Sequence, residues 1–286
     1  IDQTTSIVDE QDLDINESYR NTQDRAIYRG TYYSDQEPGL AFLGAIPYAG
    51  WKAIYSSFGN TSKNEEPRVL LSKREDKSIS YSASPGSFYL SAIIILILST
   101  ATLSLSLLSI LIYRMSEDFL ESESKRLLIT FGFAFGTLIT HYGTQFMPYA
   151  PAAFLSFFSF YLLYQWKKYP GHKKMLFAGF LSGYATIISL PVIVVLLFNG
   201  FYAWKKFELG ERPFLEDITE KFQTPIFYGF GGFIGVLPLI LYNTISFGAP
   251  WRFARKYLDP VFWPNLQESS AIFSGIIIDP VMNSYV

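Results

Sequence analysis

Cysteine is absent from this 286-residue sequence, and histidine occurs only twice. The lack of cysteine excludes disulfides, thiol catalysis and cysteine-based metal sites, although it does not fix the compartment. His141 and His172 lie in different loops, and no His-Glu-x-x-His, Walker or GxGxxG pattern occurs. The sequence therefore indicates no metal site and no cofactor. A divalent metal is compatible with the sequence but is not indicated by it.

Charged residues are also scarce, at 17% of the chain, and the net charge is −2. No basic surface is available, so nucleic acid is excluded as a partner. In contrast, 49% of the residues are hydrophobic, and the chain has 26 Phe and 20 Tyr. Residues 1–87 are polar, whereas 88–204 consist mostly of apolar runs. This division predicts a membrane protein with one large aqueous loop and with membrane lipids as partners.

We expect an all-α polytopic membrane protein, a transmembrane helix bundle with a large external first loop containing interfacial helices. Residues 1–87 form the external loop, 88–247 form the bundle, and 248–286 form an external loop and a truncated following segment. The predicted spans are 88–113, 127–146, 149–166 and 222–247, with 175–204 as a short hairpin. The first span is the clearest, since about 26 residues at about 1.5 Å each cover the ~30 Å hydrocarbon core.

Residues 175–204 fit either one long helix kinked at Pro191 or two short helices that meet there. Short cytoplasmic loops are enriched in Lys and Arg. The hairpin keeps the basic residues that follow 204 on the same side as the basic loops 114–126 and 166–174. We therefore prefer the hairpin, and we expect the chain to cross the plasma (inner) membrane several times.

Proline and glycine occur inside several apolar stretches. Pro47 would break a spanning helix, so residues 39–59 predict a helix that lies on the membrane surface. The spacing of Gly132 and Gly136 predicts close approach of a neighbouring helix. The glycine-rich run at 229–235 lies within an apolar span, so helix packing explains it better than phosphate binding does.

Residues 32–39, Tyr-Tyr-Ser-Asp-Gln-Glu-Pro-Gly, and residues 40–48, Leu-Ala-Phe-Leu-Gly-Ala-Ile-Pro-Tyr, carry a resemblance. Together they resemble the first external loop of GT-C membrane glycosyltransferases. The similar proteins are the dolichyl-phosphate-mannose protein mannosyltransferase-like and lipid A aminoarabinose transferase-like proteins. Residues 177–191 resemble the short helical pair of this family, and 242–250 resemble a loop after the next span. By this comparison, the sequence is a fragment that lacks the first transmembrane helix and the C-terminal part.

The resemblance implies an inverting transfer of a sugar from a polyprenyl-phosphate donor to a lipid, glycan or protein acceptor on the outer face. Such a transfer requires a carboxylate that takes the acceptor proton and donors that stabilise the leaving phosphate. It also requires a lipid-accessible groove for the polyprenyl chain. The alternative is a non-catalytic polytopic membrane protein, either a transporter or an envelope-assembly scaffold.

Asp35 is the candidate catalytic carboxylate in the loop, with a turn-capping role as its alternative. In the family the catalytic acid follows the first spanning helix, and Asp2 is the residue here that could correspond to it. Arg252 and Arg255 are candidates for donor phosphate, or alternatively for lipid headgroups. Further substrate contacts are expected from five residues of the outer loops, Tyr33, Ser34, Glu37, Tyr242 and Asn243. Tyr242 and Asn243, which follow the last span, could instead cap a helix end.

Overall fold

The computed structural model describes residues 1–58, 70–71, 81–82, 87–166, 171–205 and 214–260. The described residues are mostly helical, with 75% helix and 4% strand. The predicted helical class is confirmed at this level. Most of the predicted loop at 60–87 and all of 261–286 lie outside the described residues.

The N-terminal part combines short helices with a small antiparallel hairpin. Its elements are α1 (Asp2–Thr5), a π-helical turn (Ser6–Glu10), a 3-10 turn (Tyr19–Asn21), β1 (Arg25–Tyr28), β2 (Thr31–Ser34) and α2 (Gly39–Ser57). The strands β1 and β2 pair through a two-residue turn at Arg29 and Gly30. Both turn residues have positive φ, which matches the right-handed twist of the strands. A second small pair, β3 (Leu70–Leu71) and β4 (Tyr81–Ser82), follows.

The rest of the described chain is mostly helical. Its helices are α3 (Ser87–Leu96), α4 (Leu103–Ser116), α5 (Glu123–Gly136), α6 (Ile139–Gly143), α7 (Tyr149–Trp166), α8 (His172–Ile188), α9 (Ile193–Lys205) and α10 (Phe214–Phe247). A π-helical segment at Ile97–Thr102 joins α3 to α4, so they form one continuous helix. Two helical stretches, Phe88–Ser116 and Pro225–Phe247, are long and apolar enough to cross a membrane.

The predicted span 127–146 is interrupted in the structure. α5 ends at Gly136, and Thr137 then adopts an extended backbone before the short α6 begins. The predicted packing role of Gly132 and Gly136 is also not met among the described residues. A methyl group at either position would contact nothing within 4 Å.

The helices α8, α9 and α10 pack beside one another, with α9 antiparallel to both α8 and α10. α8 and α9 turn back at a 3-10 turn, Leu190–Val192, which brings the side-chain amide of Asn199 within 3.3 Å of the Ser182 hydroxyl. Residues this far apart in sequence meet only if the two helices are antiparallel. α10 then lies parallel to α8, because Gly179 faces Tyr228 and the later Gly183 faces Gly232.

Glycines allow α8 and α10 to approach closely. A Cβ atom at Gly183 would overlap the backbone of Gly232, and one at Gly235 would overlap the backbone of Phe180 and Tyr184. The interpretation of the run at 229–235 as packing glycines is therefore confirmed for Gly235, as it is for Gly231. This contact fixes the end of α8 relative to the end of α10, and both ends lie near the candidate site.

Candidate functional site

A cavity of about 390 Å³ lies where several helix ends and turns converge. It is bounded by α1, by the segment that joins β2 to α2, by the turn before α7 and by the last residue of α8. Its apolar wall includes Leu40, Phe146, Pro148 and Ile188. We call this space the cavity. The end of the packed helices at which it lies is called the cavity end.

Three carboxylates line the cavity. They belong to Asp2 on α1, Asp24 before β1 and Glu37 in the segment between β2 and α2. Burial raises the pKa of Asp2 above its ordinary value. Ser34 also lines the cavity, so three of the predicted site residues, Asp2, Ser34 and Glu37, are brought together there.

Asp35 lies beside the cavity rather than on its wall. Its carboxylate is largely buried and accepts a hydrogen bond of 3.0 Å from the side-chain amide of Gln36, which does line the cavity. Burial, followed by the negative charge of Asp24, raises the pKa of Asp35 to about 6. Asp35 can therefore influence the cavity through Gln36 and through its charge.

Glu37 connects the cavity to the chain that follows α10. Its carboxylate lies 3.6 Å from the guanidinium of Arg255, whose side chain is 55% exposed. The carboxylate of Glu37 itself is only 8% exposed, so its charge faces the cavity and this arginine. Arg255, one of the two predicted phosphate-binding arginines, thus contacts a cavity residue.

Arg252 has a structural role in the same segment. Its guanidinium donates hydrogen bonds of 2.9 Å to the Tyr28 hydroxyl and to the Phe247 carbonyl. It therefore ties the turn after α10 to the β1–β2 hairpin. A second tie lies nearby, where the buried pair Arg25 and Asp259 meet at 2.7 Å.

Tyr33, Tyr242 and Asn243 lie behind the cavity. Tyr242 is buried in a cluster around Phe247, and Tyr33 packs on the same phenylalanine ring with centroids 4.9 Å apart. Asn243 is buried and donates a hydrogen bond of 3.0 Å to the Pro250 carbonyl. This bond matches the alternative that Asn243 caps the end of the last helix.

Several cavity residues are absent from the predicted site. Asp24 is one of many acids in residues 1–27, and no local signal separates it from its solvated neighbours. Gln3 and Thr4 are uncharged, and only their burial in the folded chain marks them. The turn that contributes Phe146 and Pro148 is apolar, so it resembles any connection between spans.

Among the described residues, no group of His, Cys, Asp or Glu has the geometry to hold a metal ion. No family model, no curated protein and no solved structure matches this chain.

Proposed function

We propose that this chain is a polytopic membrane glycosyltransferase that moves a sugar from a polyprenyl-phosphate donor to a hydroxyl acceptor. The observation that carries the proposal is the carboxylate-lined cavity at one end of an apolar helix bundle. The resemblance of residues 32–48 to the external loop of such enzymes supports it, because this loop supplies Ser34 and Glu37 to the cavity.

Exposed apolar side chains support the placement of the helices in a bilayer. Each of four helices leaves a large hydrophobic side chain more than half exposed, and such extensive apolar exposure is unusual for a water-soluble surface. The examples are Leu98, Phe135, Leu197 and Phe233. We infer that these faces contact lipid.

The helix α2 has the pattern of an interfacial helix. Ile46 and Ile54 are exposed on one side of the helix, whereas Gly44 and Tyr48 are buried on the opposite side. An apolar face of this kind lies in the boundary between headgroups and acyl chains. α2 begins at the cavity, so we propose that the cavity lies at the membrane surface, where a lipid-linked donor can reach it.

In the proposed reaction, Asp2 accepts the proton of the acceptor hydroxyl as that oxygen attacks the anomeric carbon. Asp2 is the assigned base because it lines the cavity and because burial has raised its pKa, which brings the basicity of the carboxylate closer to that required at neutral pH. Asp35 acts as a positioning residue through Gln36. Arg255, half exposed beside Glu37, stabilises the leaving phosphate.

The test uses the full-length protein in lipid vesicles with radiolabelled polyprenyl-phosphate sugars and a panel of lipid and glycan acceptors. Asp2→Asn should lower the rate of transfer by about 10²- to 10⁴-fold, the usual contribution of a general base. Glu17→Gln is the matched control, because Glu17 is an exposed acid in the same N-terminal segment. Absence of transfer by the wild type with every donor, or equal rates for Asp2→Asn and wild type, would overturn the proposal.

A further inference from the structure

The chain after α10 returns to the β1–β2 hairpin along residues 251–259, which we call the strap. Leu258 forms an antiparallel bridge with Ala26, a residue of β1 that also pairs with β2. Because a strand residue pairs with one neighbour on each edge, Leu258 lies on the edge of β1 that β2 leaves open. The Asp259 amide also donates a hydrogen bond of 3.1 Å to the Arg25 carbonyl. The strap therefore ends as a third strand position beside the hairpin.

Side chains reinforce this backbone pairing at the end of the strap. The Arg25 guanidinium donates a hydrogen bond of 2.7 Å to the Asp259 carboxylate, which is only 2% exposed. The same guanidinium donates a second bond of 2.7 Å to the Tyr19 carbonyl, and it lies 5.3 Å from the centre of the Tyr32 ring. Charge-assisted hydrogen bonds from the planar fork of an arginine are directional. The hairpin side of the pair therefore sets the position of Asp259.

Arg255 lies between this anchor and an earlier one. It belongs to the 3-10 turn Ala254–Tyr257. Before the turn, the guanidinium of Arg252 donates a hydrogen bond of 2.9 Å to the Tyr28 hydroxyl. At the end of the turn, the ring of Tyr257 packs on the ring of Tyr28, with centroids 4.7 Å apart. The backbone of Arg255 is thus held on both sides by contacts with the hairpin.

The side chain of Arg255 has weaker contacts than its backbone. It is 55% exposed, and its distance of 3.6 Å from the Glu37 carboxylate is longer than a hydrogen bond. Exposed ion pairs of this kind contribute little to holding a side chain in place. The location of the guanidinium at the cavity edge therefore depends on the anchored backbone of the strap. A group that stabilises a leaving phosphate is effective only when it is positioned before the reaction.

We propose that Asp259, through its pair with Arg25, is a positioning residue that holds Arg255 at the edge of the cavity. This inference rests on the proposed glycosyl transfer, in which Arg255 stabilises the leaving phosphate. Neither Asp259 nor Arg25 is among the described residues that line the cavity. Both act through the backbone of the strap, which presents the Arg255 guanidinium beside Glu37.

The first test measures how firmly residue 255 is held, without any substrate. The 286 residues contain no cysteine, so Arg255→Cys provides a site for a nitroxide spin label. In the full-length protein in detergent, the EPR spectrum of this label should gain a mobile component when Asp259→Ala is added. Ser57→Cys is the matched control, because Ser57 is exposed at the end of α2, outside the strap, and its label should not respond. Identical spectra at residue 255 with and without Asp259→Ala would overturn the inference.

A milder variant keeps the test decisive if Asp259→Ala does not fold. Arg25→Lys retains a positive charge beside Asp259, but an ammonium lacks the planar fork that bonds Asp259 and the Tyr19 carbonyl at once. The label at residue 255 should again gain a mobile component, smaller than in Asp259→Ala, and the label at residue 57 should not. An unchanged spectrum at residue 255 in folded Arg25→Lys would contradict the positioning role.

The second test is a double-mutant cycle on sugar transfer in lipid vesicles. Arg255→Ala should lower kcat/KM for the donor by roughly 10- to 100-fold, the effect of one lost hydrogen bond to a charged group. Asp259→Ala should lower it by at least about threefold and leave the acceptor KM unchanged. When Arg255→Ala is already present, Asp259→Ala should have no further effect, because the group that it positions is absent. An equal effect of Asp259→Ala in both backgrounds would show that it acts only on stability, and would refute the inference.

The failures of the two proposals can be told apart. If the spin label at residue 255 responds as expected but no sugar is transferred from any donor, the positioning by Asp259 stands and glycosyl transfer is refuted. If sugar is transferred but neither the spectrum at residue 255 nor the donor kcat/KM responds to Asp259→Ala, glycosyl transfer stands and the positioning role is refuted.

Discussion

The contact between α8 and α10 predicts opposite effects for two glycine-to-alanine substitutions on neighbouring helices. In Gly183→Ala, the new methyl group would overlap the backbone of Gly232. A backbone cannot move aside by changing rotamer, so the helices must separate. In Gly229→Ala, the methyl group would meet nothing within 4 Å among the described residues.

The expected magnitudes follow from two opposing effects. Overpacking of a close contact costs about 1–3 kcal/mol, and two rigid backbones place Gly183→Ala near the upper value. Alanine is favoured over glycine in a helix by up to about 1 kcal/mol, so the net loss is about 2 kcal/mol. Gly229→Ala has only the second effect and should be neutral or stabilising by up to about 1 kcal/mol.

The assay is the thermal midpoint of the full-length protein in detergent, followed by size-exclusion chromatography after heating. For a protein of this size, about 1 kcal/mol corresponds to roughly 2–4 °C. We therefore expect Gly183→Ala to lower the midpoint by about 4–8 °C and Gly229→Ala to leave it unchanged or slightly raised. Equal midpoints for the two variants would refute the close packing of α8 on α10.

Two further predictions concern the charged groups around the site. Arg25→Met should destabilise the protein by about 3–5 kcal/mol, because it removes the guanidinium from the buried carboxylate of Asp259. Thermal unfolding measures the loss of stability. The loss should be smaller in the double variant that also carries Asp259→Leu, because no buried charge is then left without a partner. If Arg25→Met is neutral, the pair does not hold the last described segment in place. For Asp35, the folded-state pKa of about 6 lies above the ordinary value of 3.8, so the contribution of this group to the stability of the fold is greatest below pH 4 and is lost as the pH rises through 6. The loss is about 3 kcal/mol at most and about 1–2 kcal/mol after allowance for partial hydration. Asp35→Asn should remove this part of the pH dependence of the thermal midpoint, whereas the control Glu17→Gln should retain it. Identical pH profiles for Asp35→Asn and the wild type would show that burial does not perturb the pKa of Asp35.

Long apolar runs made part of the fold predictable. The helix expected at 149–166 coincides with α7, and the span expected at 88–113 lies within the helix Phe88–Ser116, which is long and apolar enough to cross a membrane. The break after Gly136 could not be predicted, because the residues on both sides remain apolar and continue the same hydropathy. An interruption of this kind depends on the residues that pack around the turn in the folded chain, and a hydropathy profile gives no information about these contacts.

The candidate site was predictable only where a local motif carries it. Residues 32–39 stand out by their turn chemistry, and they supply Ser34 and Glu37 to the cavity. Gln3 and Thr4 come from a different stretch of chain, and only their burial in the folded chain brings them to the cavity wall. Burial of this kind is a property of the tertiary structure, so no sequence pattern could have revealed it.

The distribution of charge bears on the roles of the cavity residues in the proposed glycosyl transfer. The carboxylates of Asp2, Asp24 and Glu37 line the cavity, whereas Arg255 approaches Glu37 from the segment after α10. In the proposed transfer, a donor phosphate held by Arg255 would lie next to Glu37, at the edge of the cavity. Its sugar would then extend into the cavity, towards Asp2. In this arrangement, Asp2 takes the acceptor proton while Arg255 holds the departing phosphate, so the two groups stabilise opposite ends of the same reaction.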